Sequence, residues 1–393
     1  MTNVFIRRVE GQALVDAVYA VQSYAYHAQL PCPPKEEWTK GLAEAKGVTG
    51  YAVFEDEQPV CVGESVCLTQ NVRGKLYPAS GIAGVATLPA ARRKGYVRQL
   101  MAVLLADVRA AGAVFSDLYP FRESFYERMG YVVFPEMMSA TFTPEALIPL
   151  QKMDFGGELE LCQVGEVADE YRAFLESLRA RTHGMALFDF FEQERLQEAK
   201  LWAALAKFDS QVEGIMLYNM ERKEGTGQVL HGERFLYHTS RARMLLQWIA
   251  RHVDQVQKAE LDLLPSERPV TWISDLRANT QMDGFAPMGR VLDVSAMAGM
   301  QVGPGSFSAR ISDPLCPYNE GLWRFACREG KLEVSSAEQA DCDLTIQGLT
   351  CLVYGTHDPQ DLTVRGWGNP APHLQDTMRS IFPMLSPYMH EHF

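Results

Sequence analysis

The chain has 393 residues, 47% apolar and 22% charged, with 37 basic against 49 acidic side chains and a net charge of −12. That length exceeds one hydrophobic core and predicts two or three domains of an ordinary globular protein. The acidic balance disfavours a nucleic-acid partner, whose phosphates need a basic face, and suits a cationic small molecule.

The opening run MTNVFIRRVEG lacks the long apolar stretch of a secretory signal. No segment approaches the roughly 20 apolar residues of a membrane helix, so no membrane partner is expected and the expected location is the cytoplasm. The eight cysteines form no CxxC pair and read as buried reduced thiols, mostly in apolar strand-like runs, rather than disulfides or a metal site. The nine histidines show no HxxxH or HExxH spacing, so no metal site is predicted.

In chain order, NVFIRRV reads as a strand and Gln12 to Tyr24 as a helix. GYAVFEDEQPVCVGESVCLTQ reads as a hairpin turning at Asp56–Pro59, and GIAGVATL as a short strand apolar on both faces, as in a sheet covered on both sides. Next comes a basic turn, Arg92, Arg93 and Lys94, followed by Gly95. The helix after it places Val97, Leu100, Met101, Leu104, Leu105 and Val108 at three- and four-residue spacing and stops at Gly112. A strand AVFSDLY, a helix over FRESFYERM ending at Gly130, and a strand YVVF complete a β-α-β-α-β run.

A second segment starts near GELELCQVGEVADEYRAFLESLRA, again strand then helix, and a third near GRVLDVSAMAGM. In the third, GLWRFACREGKLEV and DCDLTIQGLTCLVYGTHDPQDLTVRG are read as strands, a helix and an edge, with a helical tail that ends abruptly at YMHEHF. These cut points predict domains over 1–150, 151–289 and 290–393.

The strand, turn and helix of GIAGVATLPAARRKGYVRQLM carry the chemistry. Unpaired N–H groups and the dipole at a helix start attract an anion, and Gly95 lets the backbone approach it closely. The spacing fits neither GxxxxGK[ST] nor GxGxxG. A solvated basic turn ahead of a core helix is the alternative reading.

Arg92-Arg93-Lys94-Gly95-Tyr96-Val97 resembles [QR]-x-x-G-x-[GA], the pyrophosphate loop of the Gcn5-related N-acetyltransferases (GNAT), with valine departing from the last position. LYPFRESFYERMGYVVF resembles the helix and strand that close their fold. The resemblance implies acetyl-coenzyme A as cosubstrate and no metal. The backbone of Val85, Ala86 and Thr87 would hold the pantetheine arm and polarise the acetyl carbonyl. The backbone of Arg93, Lys94, Gly95, Tyr96, Val97 and Arg98, beside Arg92, would wrap the pyrophosphate, with Phe121 and Arg122 on the cofactor's other side. It also implies Tyr126 as general acid for the departing thiolate; a core aromatic beside Phe125 and Tyr131 is the other reading of that residue.

A GNAT domain, a degenerate second copy and a sterol-carrier-like module together resemble the enhanced intracellular survival (Eis) family, which acetylates aminoglycoside amines. The expected fold class is α/β (α+β): tandem GNAT folds followed by a sterol-carrier-protein-2-like α+β domain. The second copy, at YHTSRARMLLQWIARH, lacks the loop glycine and is expected to hold no cofactor. The resemblance implies that the general base is the C-terminal carboxylate, here of Phe393; a frayed tail or a histidine base are the alternatives. Tyr24, His27, Trp38 and Glu391 are candidates to line the substrate site, and the family assembles as homo-hexamers. The expected function is N-acetylation of an aminoglycoside or polyamine-like amine. The alternatives are a protein or peptide N-acetyltransferase, and a hydrophobic-ligand carrier with a vestigial acetyltransferase domain.

Overall fold

Alternation and helical periodicity are realised closely at the start of the chain, with β1 at Val4–Val9 and α1 at Gly11–Tyr26. The computed structural model describes all residues except 1, 2, 28, 191, 192, 226, 283 and 285. Two compact units divide the chain: one holds Met1–Phe134, His183–Phe190 and Pro287–Phe393, the other Pro135–Thr182 and Phe191–Ala286. The chain thus passes between units at 134/135, 182/183, 190/191 and 286/287, where the sequence suggested two boundaries, near 150 and 290.

In the first unit α1 is followed by α2 (Lys35–Trp38), β2 (Val48–Glu55), β3 (Gln58–Val72), β4 (Lys75–Thr87), α3 (Tyr96–Ala110), β5 (Phe115–Leu118), α4 (Glu123–Glu127) and β6 (Val132–Val133). β1 to β4 form an antiparallel meander. Its two hairpins turn on Asp56–Glu57 and Arg73–Gly74, all four at positive φ, the two-residue geometry whose twist matches the flanking strands. β5 then joins β4 in parallel. Two later pieces of chain complete the sheet: Met288–Val291 inserts between β5 and β6, and Ala186–Phe188 pairs with β3.

Both faces of this sheet are covered. On one, the periodic stripe of α3 (Leu100, Met101, Leu104, Leu105) packs on Tyr51, Val53, Cys61, Ile82 and Leu118. Each such buried side chain contributes about 1.5–3 kcal/mol. On the other, α1 sets Leu14, Val18 and Val21 against Ala52, Phe54, Val62 and Ala86. Farther along that face Leu68, Val72, Tyr77, Ala79 and Phe115 join the core of the C-terminal module.

That module is a four-stranded sheet in the order Lys331–Ser336, Gly321–Arg328, Ser306–Ser312, Cys342–Thr345, the last pair parallel. Helix Ile346–Tyr354 starts at Thr345, whose hydroxyl accepts from the Gly348 amide, and lies buried along its length. Asp361–Arg365 is a helix where the sequence suggested an edge. The tail also differs from expectation. Helix Pro372–Ile381 stops before Phe382, and residues 382–393 have no regular secondary structure, since Pro383 and Pro387 cannot continue a helical hydrogen-bond ladder.

The second unit repeats the meander-plus-parallel plan. Trp202–Phe208, Gln211–Lys223 and Gly227–Tyr237 run antiparallel, and Lys258–Leu263 pairs in parallel with the last of them. Where α3 follows β4 in the first unit, the second has a 3-10 turn, Ser240–Met244, and a short helix, Leu245–Ala250. The architecture is two GNAT folds and a sterol-carrier-like α+β module. Among the described residues no helix is long and apolar enough to cross a membrane. All eight cysteines are free thiols, and Cys67 is exposed where the sequence suggested burial.

Candidate active site

β4 and β5 pair only from Ala79–Phe115 to Ile82–Leu118, whereas β4 runs on to Thr87 against β3 alone. The stretch holding Val85, Ala86 and Thr87 therefore has no β5 partner and leaves backbone groups toward the gap between the strands. A bulge opens this stretch, with the register slipping between Val62 and Glu64 and Gly84 at φ +61. Glycine suits this left-handed position, and a Cβ, at 2.4 Å from Gln22 Nε2 and 2.6 Å from Glu64 Oε1, would push those two side chains away.

The basic turn enters α3 through Gly95 at φ +82, which supplies no side chain to cap the first amides. Arg93 is also left-handed, at φ +65. Open amides and the helix dipole at such a start suit an anion. The charges are less available than the sequence suggested. Arg92 Nε donates to the Thr87 carbonyl at 3.2 Å, and Lys94 Nζ donates to Glu55 at 2.7 Å. The Tyr96 hydroxyl donates to the same carboxylate, which Lys94 and then Tyr96 hold below the usual carboxyl range. Arg93 and Arg98 remain exposed beside this helix start.

Tyr126, on α4, is 4% exposed, its ring edge-on to Phe121, Phe125 and Tyr131 at 5.9, 5.1 and 6.1 Å between centroids. Burial, then the nearby Tyr26 hydroxyl and Cys61 thiol, push its pKa well up, so it is a protonated donor at neutral pH. Phe121 is 73% exposed at the start of the same helix, next to the exposed Arg122.

The tail is not frayed. The Phe393 ring lies on Gly81, and a Cβ there would meet its carbons at 2.8–2.9 Å. Tyr119 and Phe188 flank the ring at 5.7 and 6.3 Å. His392 stacks on Tyr119 at 4.7 Å, and the Tyr119 hydroxyl donates to the Glu391 carbonyl at 3.1 Å. Glu391 Oε1 accepts from the Phe188 amide at 3.4 Å, so this carboxylate anchors the tail. Farther back, Tyr388 N donates to the His183 carbonyl, and the Tyr388 hydroxyl bonds His390 Nδ1 in a buried pair.

Tyr126 and Phe393 approach β4 at different residues of the strand, and Tyr26 lies near Tyr126. Gly81 carries Phe393 on one face, while its neighbour Ile82 points into the α3 core that contains Tyr126. At the N-terminal side, His27 and Trp38 meet edge-on at 6.3 Å, and Tyr24 is 52% exposed. The aromatic that reaches the bulge is Tyr26, whose hydroxyl donates to the Val85 carbonyl at 2.9 Å. Sequence reasoning missed Tyr26, Gln22 and Glu64. The available signal was the i, i+4 spacing of Gln22 and Tyr26 on a helix whose inward face is otherwise apolar.

Residues 6–134 match the acetyltransferase (GNAT) domain model and residues 296–390 the sterol carrier protein domain model. No curated protein matches the chain. Among solved structures, a GCN5-related N-acetyltransferase from Anabaena variabilis aligns over 99% of this chain and 100% of its own, at 18% identity and TM-score 0.82. A probable N-acyltransferase from Enterococcus faecalis aligns over 100% of both chains at 20% identity and TM-score 0.82. Eis1 from Mycobacterium abscessus also aligns over 100% of both, at 17% identity and TM-score 0.78.

Proposed function

Because the chain is an acyltransferase with a GNAT domain and an Eis-like arrangement, we propose that it acetylates amines of a cationic small molecule, an aminoglycoside or a polyamine. GNAT domains use acetyl-coenzyme A, which supplies the activated acetyl group. The open amides at the start of α3, the left-handed Arg93 and Gly95, and the unpaired edge at Val85–Thr87 suit its pyrophosphate and pantetheine arm.

The observation that supports the reading is the ordered tail, whose Phe393 ring lies on Gly81 of the strand that runs on to Val85–Thr87. Tyr126 Oη, kept protonated by burial, gives its proton to the leaving sulfur. The terminal carboxylate of Phe393, whose ring is anchored on Gly81, takes the proton of the attacking amine. Both proton transfers occur at one tetrahedral centre, so acid and base must both reach the gap beside Val85. Tyr126 lies near the Tyr26 hydroxyl that bonds the Val85 carbonyl, and the tail is anchored at Gly81 on the same strand. The acidic chain attracts a polycation. The sterol-carrier module acts as a scaffold: its interior is filled by Phe307, Phe325, Leu349, Leu352 and Phe382, and the same core includes β3 to β5 residues.

The test incubates purified protein and acetyl-coenzyme A with kanamycin, spermidine or a lysine peptide and follows free thiol. Release with the first two supports the reading. Release with the peptide alone transfers the activity to protein acceptors, and no release rejects it.

A further inference from the structure

The face of the sheet that carries Phe393 also holds a carboxylate the chemistry above leaves unused. Glu64 sits opposite Ala83 on β4, one pleat along from Gly81, so its side chain shares the face on which the Phe393 ring lies. Three features aim it at the bulge. Gln22 Nε2 donates to Glu64 Oε1 at 2.7 Å and to the Gly84 carbonyl at 2.9 Å. The Tyr26 hydroxyl holds the next carbonyl, Val85, at 2.9 Å. Gly84 leaves the space that a side chain would fill against Oε1.

The carboxylate has neutral partners only. Among the described residues no Lys, Arg or His pairs with Glu64, and Oε2 has no donor of its own. Burial pushes its pKa up, with Gln22 opposing. A partly desolvated carboxylate without a counter-ion is costly in the free protein and gains most from an incoming cation. A residue spacing of two along a strand is about 7 Å. Neighbouring amines of a polyamine or an aminosugar are spaced on that scale.

We propose that Glu64 binds a second, non-reacting ammonium of the acceptor and thereby selects molecules with at least two amines. Gln22 and Tyr26 are the positioning residues that fix the carboxylate and the bulge. This rests on the acetyltransferase reading and adds to it a specificity residue on the strand opposite the splay.

The experiment compares spermidine with n-butylamine as acceptors for the wild-type protein and Glu64→Gln, an isosteric change whose carbonyl can still accept from Gln22. The expected result is a fall of about tenfold in kcat/KM for spermidine, as for loss of a charge-assisted hydrogen bond. Butylamine should change less than threefold, with acetyl-coenzyme A affinity unaltered and the melting temperature not lowered. Glu64→Ala, read the same way, covers the case in which the new amide mispairs. Equal losses for both amines, or no loss for either, overturn the assignment. A wild-type protein that acetylates neither amine, nor any aminoglycoside, overturns the acetyltransferase acceptor reading itself.

Discussion

The ring of Phe393 lies against the α-carbon of Gly81, in space that any other residue on β4 would fill with its own side chain. Gly81→Val should therefore expel the ring without disturbing the turn at Gly95. We expect kcat to fall by about 100-fold, the scale of a misplaced catalytic group. Acetyl-coenzyme A affinity by calorimetry should change less than twofold. Unchanged kcat would remove the tail from the mechanism.

Tyr126→Phe keeps the aromatic packing with Phe121, Phe125 and Tyr131 and removes only the hydroxyl. Turnover should drop by about 10²–10⁴-fold, the usual contribution of a positioned acid. The melting temperature should hold. A variant of full activity would reduce Tyr126 to a core aromatic.

At the basic turn, conformation outweighs charge. Gly95→Ala forces a Cβ onto a residue at φ +82, with open space around it and Gln99 Nε2 the nearest atom at 3.8 Å. The cost is therefore backbone strain, about 1–2 kcal/mol, and the KM for acetyl-coenzyme A should rise about tenfold. Lys94→Ala should raise it less than threefold, because that exposed lysine is already paired with Glu55. The reverse order in steady-state kinetics would make the charges the principal grip.

Asp117 on β5 is fully buried, with Oδ1 accepting from Gln70 Nε2 at 3.1 Å and Oδ2 unpartnered among the described residues. Burial pushes its pKa up to about 8. Between the unfolded value near 4 and that point, the folded protein holds a proton that the unfolded chain has released. This group's contribution is thus most favourable below pH 4 and is lost as pH rises through 8. Asp117→Asn removes the dependence, so its stability advantage over wild type should widen between pH 5 and 8 to about 2 kcal/mol or more. Denaturant titrations at each pH would show it, and a flat difference would refute it.

Local signals carried the catalytic elements into the sequence reading. The apolar stripe from Val97 to Val108 and its glycine start identify α3, and the aromatic cluster from Phe121 to Tyr131 identifies α4, because each depends on neighbours within a few residues. The non-local parts were opaque. Met288–Val291 contains Arg290, fully buried and bonded to Asp313 and the Met129 carbonyl, which no strand pattern would place inside a sheet. The bulge at Gly84 and its contacts with Gln22 and Glu64 require knowing that α1 lies on β3 and β4. The anchoring of the tail by Phe188 requires knowing that Ala186–Phe188 pairs with β3.

The insertion of Met288–Val291 between β5 and β6 bears on how the protein is made. A ribosome releasing the chain from its N-terminus emits β1 to β6 long before the strand that must lie between the last two. Until residue 291 emerges, β5 presents a bare edge, the kind that pairs with foreign strands and aggregates. Such late closure is slow by nature, since distant chain ends must meet before the contact rewards them. A fragment cut after Phe134 therefore lacks the strand that joins β5 to β6.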